Sequence, residues 1–209
     1  MGLPSFPIRD DDRERIEAVL SGAQRPVQPR PAATVALIRD GEAGLEVYLM
    51  RRARQMAFAP GMHVFPGGSV ESADYMDVEP VSDEEALVRA AIRETFEECD
   101  VSLSPADLRP LAHWITPEIE PRRYDTHFFV AALPAGQECR DVGTEAEIRL
   151  WVPPQQAVDD GLTMMPPTAA VLADLARFAD VASAMSAERE IVTVMPVFAI
   201  VGDRLELRI

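Results

Sequence analysis

Arg93-Glu94-Thr95-Phe96-Glu97-Glu98 is the stretch of sequence that decides the fold, because on a helix it gathers three carboxylates within a narrow arc. At roughly 100° per residue, Glu97 lies about 60° to one side of Glu94 and Glu98 about 40° to the other, one turn further along. Carboxylates this close repel one another, so the pattern favours a bound cation. An oxygen-only donor set suits Mg2+ or Mn2+ better than Zn2+. The alternative is a solvated acidic helix face.

The same segment carries a start signal and an apolar stripe. Ser82 followed by Glu85 is a capping box, which predicts that the helix begins beside Ser82. Apolar residues at spacings of four, four and three predict the buried face: Val88, Ile92, Phe96 and Cys99. Arg93 stands four residues before Glu97, a spacing that suits an ion pair and would leave Glu94 and Glu98 for a metal.

A glycine turn, Phe65-Pro66-Gly67-Gly68, precedes this helix and would let the backbone approach a ligand closely. Together, the turn and the helix resemble the Nudix hydrolase box. Its pattern is Gly, five residues, Glu, seven residues, Arg-Glu-aliphatic-any-Glu-Glu-any-Gly-aliphatic. Counting back from Arg93 makes Glu85 the first Glu of the pattern, and this implies an 11-residue insertion somewhere within residues 69–84.

Two further positions depart from the box. Thr95 stands where the pattern has an aliphatic residue, and Asp100 replaces the final Gly. Asp tolerates the left-handed conformation that ends many helices better than most other residues do, so we expect Asp100 to be an acceptable replacement.

Residues 49–68 resemble the segment before the box in the coenzyme A diphosphatase branch of the Nudix family, closest to the peroxisomal mammalian type. Arg52, Gly61 and the Phe-Pro-Gly-Gly turn match that signature, whereas Ala57 stands where it has Arg. Three later segments also look like that branch: residues 114–117, 122–129 and 164–168. The resemblance implies hydrolysis of coenzyme A or an acyl-CoA to 3′,5′-ADP and (acyl-)phosphopantetheine.

The resemblance also implies roles for individual residues. The expected ligands of Mg2+ or Mn2+ are Gly68, Glu94, Glu97 and Glu98. The expected catalytic residues are Arg93, Glu94 and Glu97, and the expected substrate-binding residues are Arg52, Arg54 and Arg123. The family often has a further acid in the loop after its fifth strand, and Glu145, just before the predicted strand 148–152, is the candidate here.

The predicted fold is α/β: a Nudix-type α/β/α sandwich around a mixed sheet, with an additional C-terminal helical segment. Residues 1–31 are expected to form an N-terminal helix and a Pro-rich linker, and residues 32–209 the Nudix hydrolase domain. The predicted strands are 34–39, 45–52, 111–116, 125–133, 148–152, 191–195, 197–201 and 205–209. Besides the acidic helix, helices are predicted over 12–21, 154–160 and 168–178.

Composition narrows the function classes. The 209 residues, 47% of them hydrophobic, suffice for one main domain. All 20 basic residues are Arg, which rules out Schiff-base chemistry and a P-loop lysine. Neither the two cysteines nor the three histidines have zinc-site spacing. The histidines are therefore expected in strand or loop roles.

Charge and hydropathy address partners and location. The net charge of −15 disfavours nucleic acid and leaves a small diphosphate, drawn by cations and local arginines, as the expected partner. No segment has the roughly 20 apolar residues of a membrane span. We expect a cytoplasmic enzyme, and because dimers are common in the resembling family, a homodimer is compatible.

Two alternatives remain open at this level. An ADP-ribose or nucleotide-sugar diphosphatase would use the same metal box. A non-catalytic Nudix-fold binding module would not need to keep Glu94, Glu97 and Glu98 together, so the complete cluster favours an enzyme.

Overall fold

A computed structural model describes residues 5–7, 10–55, 59–77, 80–140, 142 and 146–208. The strands are β1 (Ser5–Pro7), β2 (Arg30–Gly41), β3 (Gly44–Arg52), β4 (His63–Val64), β5 (Gly67–Ser69), β6 (Arg109–Ile115), β7 (Tyr124–Ala132), β8 (Ala146–Val152), β9 (Thr193–Val194), β10 (Val197–Val201) and β11 (Arg204–Arg208). The helices are α1 (Asp10–Leu20), α2 (Asp83–Cys99), α3 (Pro154–Asp159), α4 (Pro166–Leu175) and α5 (Val181–Ser186). In the described part of the chain, every helix is too short or too polar to cross a membrane.

The central sheet is mixed, as predicted. β2 runs parallel to β7 and antiparallel to both β3 and β5. β3 also pairs with β4 and β8, while β6 joins β7 antiparallel and β9 parallel. Because β5 pairs with the start of β2, the glycine turn is held against the middle of the sheet.

Helices cover both faces of this sheet, which confirms the α/β/α sandwich. On one face, α2 packs against apolar side chains of β2, β3 and β7. On the other face, α3, α4 and α5 contribute Ala157, Leu172 and Ala184 to a second cluster. Of these helices, α5 was not predicted from the sequence.

The start and end of α2 follow the sequence signals. The Ser82 hydroxyl accepts a hydrogen bond from the Glu85 amide, and the Glu85 carboxylate accepts one from the Ser82 amide. Asp100 ends the helix in the left-handed conformation at φ 58°, as expected for the residue that replaces glycine.

The predicted buried face of α2 was wrong at Phe96. Phe96 is 51% exposed, whereas the neighbouring Thr95 is fully buried. The buried face of α2 includes Leu87, Ala91 and Thr95, and the two alanines, Ala90 and Ala91, bring the helix close to the sheet. Burial of Thr95 leaves no polar atom unsatisfied, because its hydroxyl donates to the Ala91 carbonyl at 2.7 Å.

A small second sheet joins the two ends of the described chain in the order β1-β11-β10. Helix α1 contributes Ile16 and Val19 to a cluster with Leu205 of β11. The boundary expected at residues 31 and 32 falls inside β2, which begins at Arg30. The terminal strands were predicted, but their pairing with residues 5–7 was not.

Candidate active site

Two consecutive glycines hold β5 against α2. The Gly67 amide donates to Glu98 Oε2 at 2.8 Å. At Gly68 a Cβ would lie 2.3 Å from Glu94 Oε1, so any side chain there would displace the Glu94 carboxylate. At Gly67 a Cβ would lie 2.5 Å from the Ala33 carbonyl. The glycine pair therefore lets the backbone approach the carboxylates of α2 directly.

Arg93 connects β5 to the carboxylates of α2. Its Nη1 donates to Glu94 Oε1 at 2.8 Å and lies 3.3 Å from Glu97 Oε2, so the predicted Arg93–Glu97 ion pair is present. Its Nη2 donates to the Ser69 carbonyl at 3.1 Å. The guanidinium thus relieves part of the repulsion between carboxylates and fixes β5 to the helix.

Asp74 is a residue that our sequence reasoning missed. It is 4% exposed, lies in a 3-10 turn over Ser72–Tyr75, and accepts hydrogen bonds from Arg93 Nε and Nη2 at 3.1 and 3.0 Å. Counting six residues forward from Gly68 arrives at Asp74, the first acidic position of the box. The forward count was the signal that could have found it.

The position of Asp74 locates the insertion in the box and corrects the assignment of Glu85 as its first acidic residue. The extra residues follow Asp74, so Gly68, the 3-10 turn and Arg93 keep a compact arrangement. Glu85 instead serves the capping box of α2 and does not contact Arg93 in the described hydrogen bonds. Counting back from Arg93 had identified a helix cap rather than the partner of the arginine.

The three glutamates have different surroundings. Glu94 is 15% exposed, and burial raises its pKa above the ordinary value even though Arg93 opposes the shift. Glu98 is half-buried and, with Glu94, lines a cleft. Glu97 is 54% exposed and lies outside the cleft wall. Glu94 and Glu98 therefore face the space that a ligand can enter.

The cleft has a volume of about 660 Å³, within the range of small-molecule sites. Its acidic end is formed by Glu94 and Glu98 beside Gly67 and Gly68. Its lining also includes five large apolar side chains: Trp114, Phe128, Met165, Phe198 and Leu207. The carboxylates thus suit a cation, and the apolar side chains suit an apolar or aromatic part of a ligand.

The arginines that line the cleft differ in part from those predicted. Arg52 lines it as expected, and Arg122 lines it without having been selected. Arg123 is 7% exposed and donates to the carbonyls of Thr116 and Val27 at 2.9 and 2.8 Å. The substrate-binding assignment of Arg123 is therefore replaced by a structural one, since its guanidinium holds two backbone segments together.

Arg54 does not line the cleft in the described structure; its amide donates to Glu147 at 3.3 Å. Glu147 also accepts from Arg51 Nη2 at 2.9 Å. The prediction for Glu145, the candidate further acid, lies outside the described residues, as does the one for Ala57.

The donor set at the acidic end fits a hard divalent cation. Glu94 and Glu98 offer carboxylate oxygens, and a buried carboxylate with a raised pKa is one that a bound cation would stabilise in its charged form. The glycine wall keeps side chains out of the space beside Glu94. Oxygen ligands alone are the preference of Mg2+ and Mn2+.

The glycines of β5 lie against an arginine-braced acidic helix, and two further arginines line the same cleft. This arrangement fits a divalent cation and phosphate groups. The model of the NUDIX domain matches residues 28–175, and the chain belongs to that family. It is a hydrolase acting on pyrophosphate bonds.

Solved structures give the same fold. A NUDIX hydrolase from Alicyclobacillus acidocaldarius is 29% identical with a TM-score of 0.65, over 77% of this chain and 97% of that chain. The NUDIX domain of Shewanella oneidensis NrtR complexed with ADP ribose is 15% identical with a TM-score of 0.55, over 81% and 97%. A C. elegans Ap4A hydrolase is 19% identical with a TM-score of 0.50, over 71% and 99%.

Proposed function

We propose that this hydrolase cleaves the diphosphate bond of a nucleoside diphosphate derivative, and that its substrate is coenzyme A or an acyl-CoA, giving 3′,5′-ADP and (acyl-)phosphopantetheine. One observation carries the proposal: an acidic end, two arginines and large apolar side chains meet in a single cleft. A coenzyme A molecule has matching parts, namely a diphosphate, a further phosphate and a long pantetheine arm.

The sequence supports the choice of coenzyme A. Residues 49–68 resemble the segment before the box in coenzyme A diphosphatases, and Arg52 of that segment lines the cleft. Met165 and Pro167, from another resembling segment, also line it. Two of the resembling segments therefore meet at the space where a substrate would lie.

Glu94 and Glu98 would hold Mg2+ or Mn2+ beside Gly68. When bound, such an ion neutralises diphosphate oxygens and makes a water molecule more acidic. Arg93 fixes the orientation of Glu94, while Arg52 and Arg122 would bind phosphate oxygens through their planar guanidinium groups. Glu94, or another carboxylate of the cleft, is our candidate to accept the proton as water attacks phosphorus and the bridging P–O bond breaks.

A substrate panel tests the proposal. Purified protein with Mg2+ or Mn2+ is incubated with coenzyme A, acetyl-CoA, ADP-ribose, a dinucleoside polyphosphate and a nucleotide sugar, and the products are separated by chromatography. We expect 3′,5′-ADP from coenzyme A, with the highest kcat/KM for that substrate or its acyl form. Turnover of ADP-ribose without turnover of coenzyme A would overturn the substrate assignment and favour the ADP-ribose alternative.

A further inference from the structure

We propose that His113, Asp125 and His127 form a second metal site, which takes one divalent transition-metal ion such as Zn2+ and is separate from the carboxylate site of α2. The potential ligand atoms of these three side chains all lie within 4.8 Å of one another. Of the described residues, no other group of three or more His, Cys, Asp or Glu side chains converges in this way.

The sheet brings the three residues together. His113 of β6 and His127 of β7 are direct cross-strand partners, and Asp125 precedes His127 by two residues on the same strand face. The imidazole rings stack with centroids 4.0 Å apart. The spacing of the histidines along the chain did not indicate a metal site, because their proximity depends on strand register and not on a short sequence motif.

Along β7, Asp125 and His127 point to the same face of the sheet as Phe129, the face that α2 covers. Trp114 and Thr126, which alternate with the cluster residues along β6 and β7, line the cleft. Burial and the neighbouring His113 lower the pKa of His127, whereas Asp125 and Glu84, at the start of α2, oppose the shift.

The distances allow one ion between the side chains. His113 Nε2 lies 2.5 Å from Asp125 Oδ1, and His127 Nε2 lies 3.8 Å from the same oxygen. Ligand atoms about 2.0–2.2 Å from one tetrahedral ion lie roughly 3.3–3.6 Å apart, so His113 Nε2 and Asp125 Oδ1 would have to separate by about 1 Å. The three side chains are 15%, 35% and 36% exposed, which leaves open positions for water and a route from solvent.

Thr193 supplies a supporting contact. Its hydroxyl lies 2.7 Å from His113 Nδ1. A hydroxyl both donates and accepts, so it can accept from Nδ1–H while Nε2 binds a metal, or donate to Nδ1 when Nε2–H faces Asp125. Two imidazoles and one carboxylate form a set that selects a transition-metal ion over Mg2+.

The site would link the sheet to the segment that completes the cleft. Thr193 lies in β9, three residues before Pro196 and five before Phe198, both of which line the cleft. An ion bound to His113 would therefore hold β6 and β7 together and, through Thr193, would also hold β9. All three strands lie next to residues that line the cleft.

Titration with Co2+ in the presence of millimolar Mg2+, followed by visible absorption, tests the site while Mg2+ competes for the α2 carboxylates. We expect one bound Co2+ per chain and displacement by Zn2+. His113→Ala and His127→Ala should each weaken binding at least 10-fold. His63→Gln alters the one other histidine and should leave binding unchanged; Glu98→Gln, in the carboxylate site, should also leave it unchanged.

A measurement on the unaltered protein guards against variants that do not fold. Long-range proton–nitrogen correlation spectra report the ring nitrogens of all three histidines, and Zn2+ should shift those of His113 and His127 but not those of His63. If Zn2+ shifts none of them, or if Co2+ binds equally well to His113→Ala and His127→Ala, the proposed site is refuted. These readouts do not depend on which diphosphate the enzyme cleaves.

Discussion

Asp74 and Arg93 form a two-armed ion pair, with Arg93 Nε donating to Oδ1 at 3.1 Å and Nη2 to Oδ2 at 3.0 Å. Asp74 is almost completely buried, and the same guanidinium also donates to Glu94 and to the Ser69 carbonyl. The pair therefore connects the turn after β5 to the carboxylate face of α2. A substitution at Asp74 would affect the position of Glu94 through Arg93, which binds both carboxylates.

Removal of the Asp74 charge should destabilise the protein. We expect Asp74→Asn to lower the free energy of unfolding by about 2 kcal/mol, because a buried, charge-assisted hydrogen bond is lost and Arg93 keeps its charge. Urea denaturation at pH 7 measures this value. The matched control is Asp77→Asn: Asp77 is 47% exposed in its pair with Arg89, so the change should be below about 1 kcal/mol. Equal effects of the two substitutions would contradict the proposed role of Asp74.

The same pair should make stability depend on pH. Burial acts to raise the pKa of Asp74, but hydrogen bonds from Arg93 and the Glu71 amide outweigh it and hold the pKa below its ordinary value. A lowered folded-state pKa stabilises the protein above the unfolded-state value of about 3.9, and that contribution is lost as the pH falls through the folded-state pKa. The stability gap between wild type and Asp74→Asn should therefore be full at pH 5–7 and narrow below about pH 4. Unfolding free energies measured from pH 3 to 7 would show a constant gap if Asp74 were not ionised in the folded protein.

Local signals carried most of what the sequence predicted correctly. The start of α2, its left-handed end at Asp100 and the longer strands of the central sheet depend on residues a few positions apart. The short strands β4 and β5 were not predicted, and the glycines expected in a turn lie in β5. The errors involve contacts between distant segments. The pairing of residues 5–7 with β11 and the cluster of His113 with His127 depend on register, which has no local signature.

The sequence also failed to predict which of two neighbouring residues is buried. Phe96 was expected inside on hydrophobicity, yet Thr95 takes the buried place because its hydroxyl is satisfied by its own helix. Arg123 and Arg122 are adjacent and chemically identical, so composition could not show that only Arg122 lines the cleft. The carboxylate face of α2 was predictable, because the positions of Glu94, Glu97 and Glu98 follow from helix geometry alone.

Glu98 and Glu97 should differ sharply in their importance for catalysis. Glu98 lines the cleft and accepts from the Gly67 amide, whereas Glu97 is half-exposed outside the cleft wall. We expect Glu98→Gln to reduce kcat by at least about 100-fold, and Glu97→Gln by less than about 10-fold. Steady-state kinetics with saturating Mg2+ make the comparison. A larger loss for Glu97→Gln would show that Glu97 moves to the metal when substrate binds.

Gly68 should not tolerate even a methyl group. A Cβ there would lie 2.3 Å from Glu94 Oε1, so Gly68→Ala must displace the carboxylate. We expect kcat to fall by about 10-fold or more, since small misplacements of catalytic groups are costly. Gly41→Ala is the matched control, because the atoms nearest to its Cβ belong to the flexible end of Glu46, far from the cleft. Unchanged kcat in Gly68→Ala would mean that Glu94 need not hold its position.

Arg122 and Arg123 provide a final contrast between binding and structure. Arg122 lines the cleft, so Arg122→Ala should raise KM for the diphosphate substrate about 10-fold while the melting temperature stays near that of the wild type. Arg123 is buried and donates to the carbonyls of Thr116 and Val27, so Arg123→Ala should lower the free energy of unfolding by about 2 kcal/mol. Its KM, measured below the melting transition, should change little. If Arg123→Ala instead raised KM without a loss of stability, Arg123 would have to reach the substrate in a rearranged loop, and the original substrate-binding assignment would be restored.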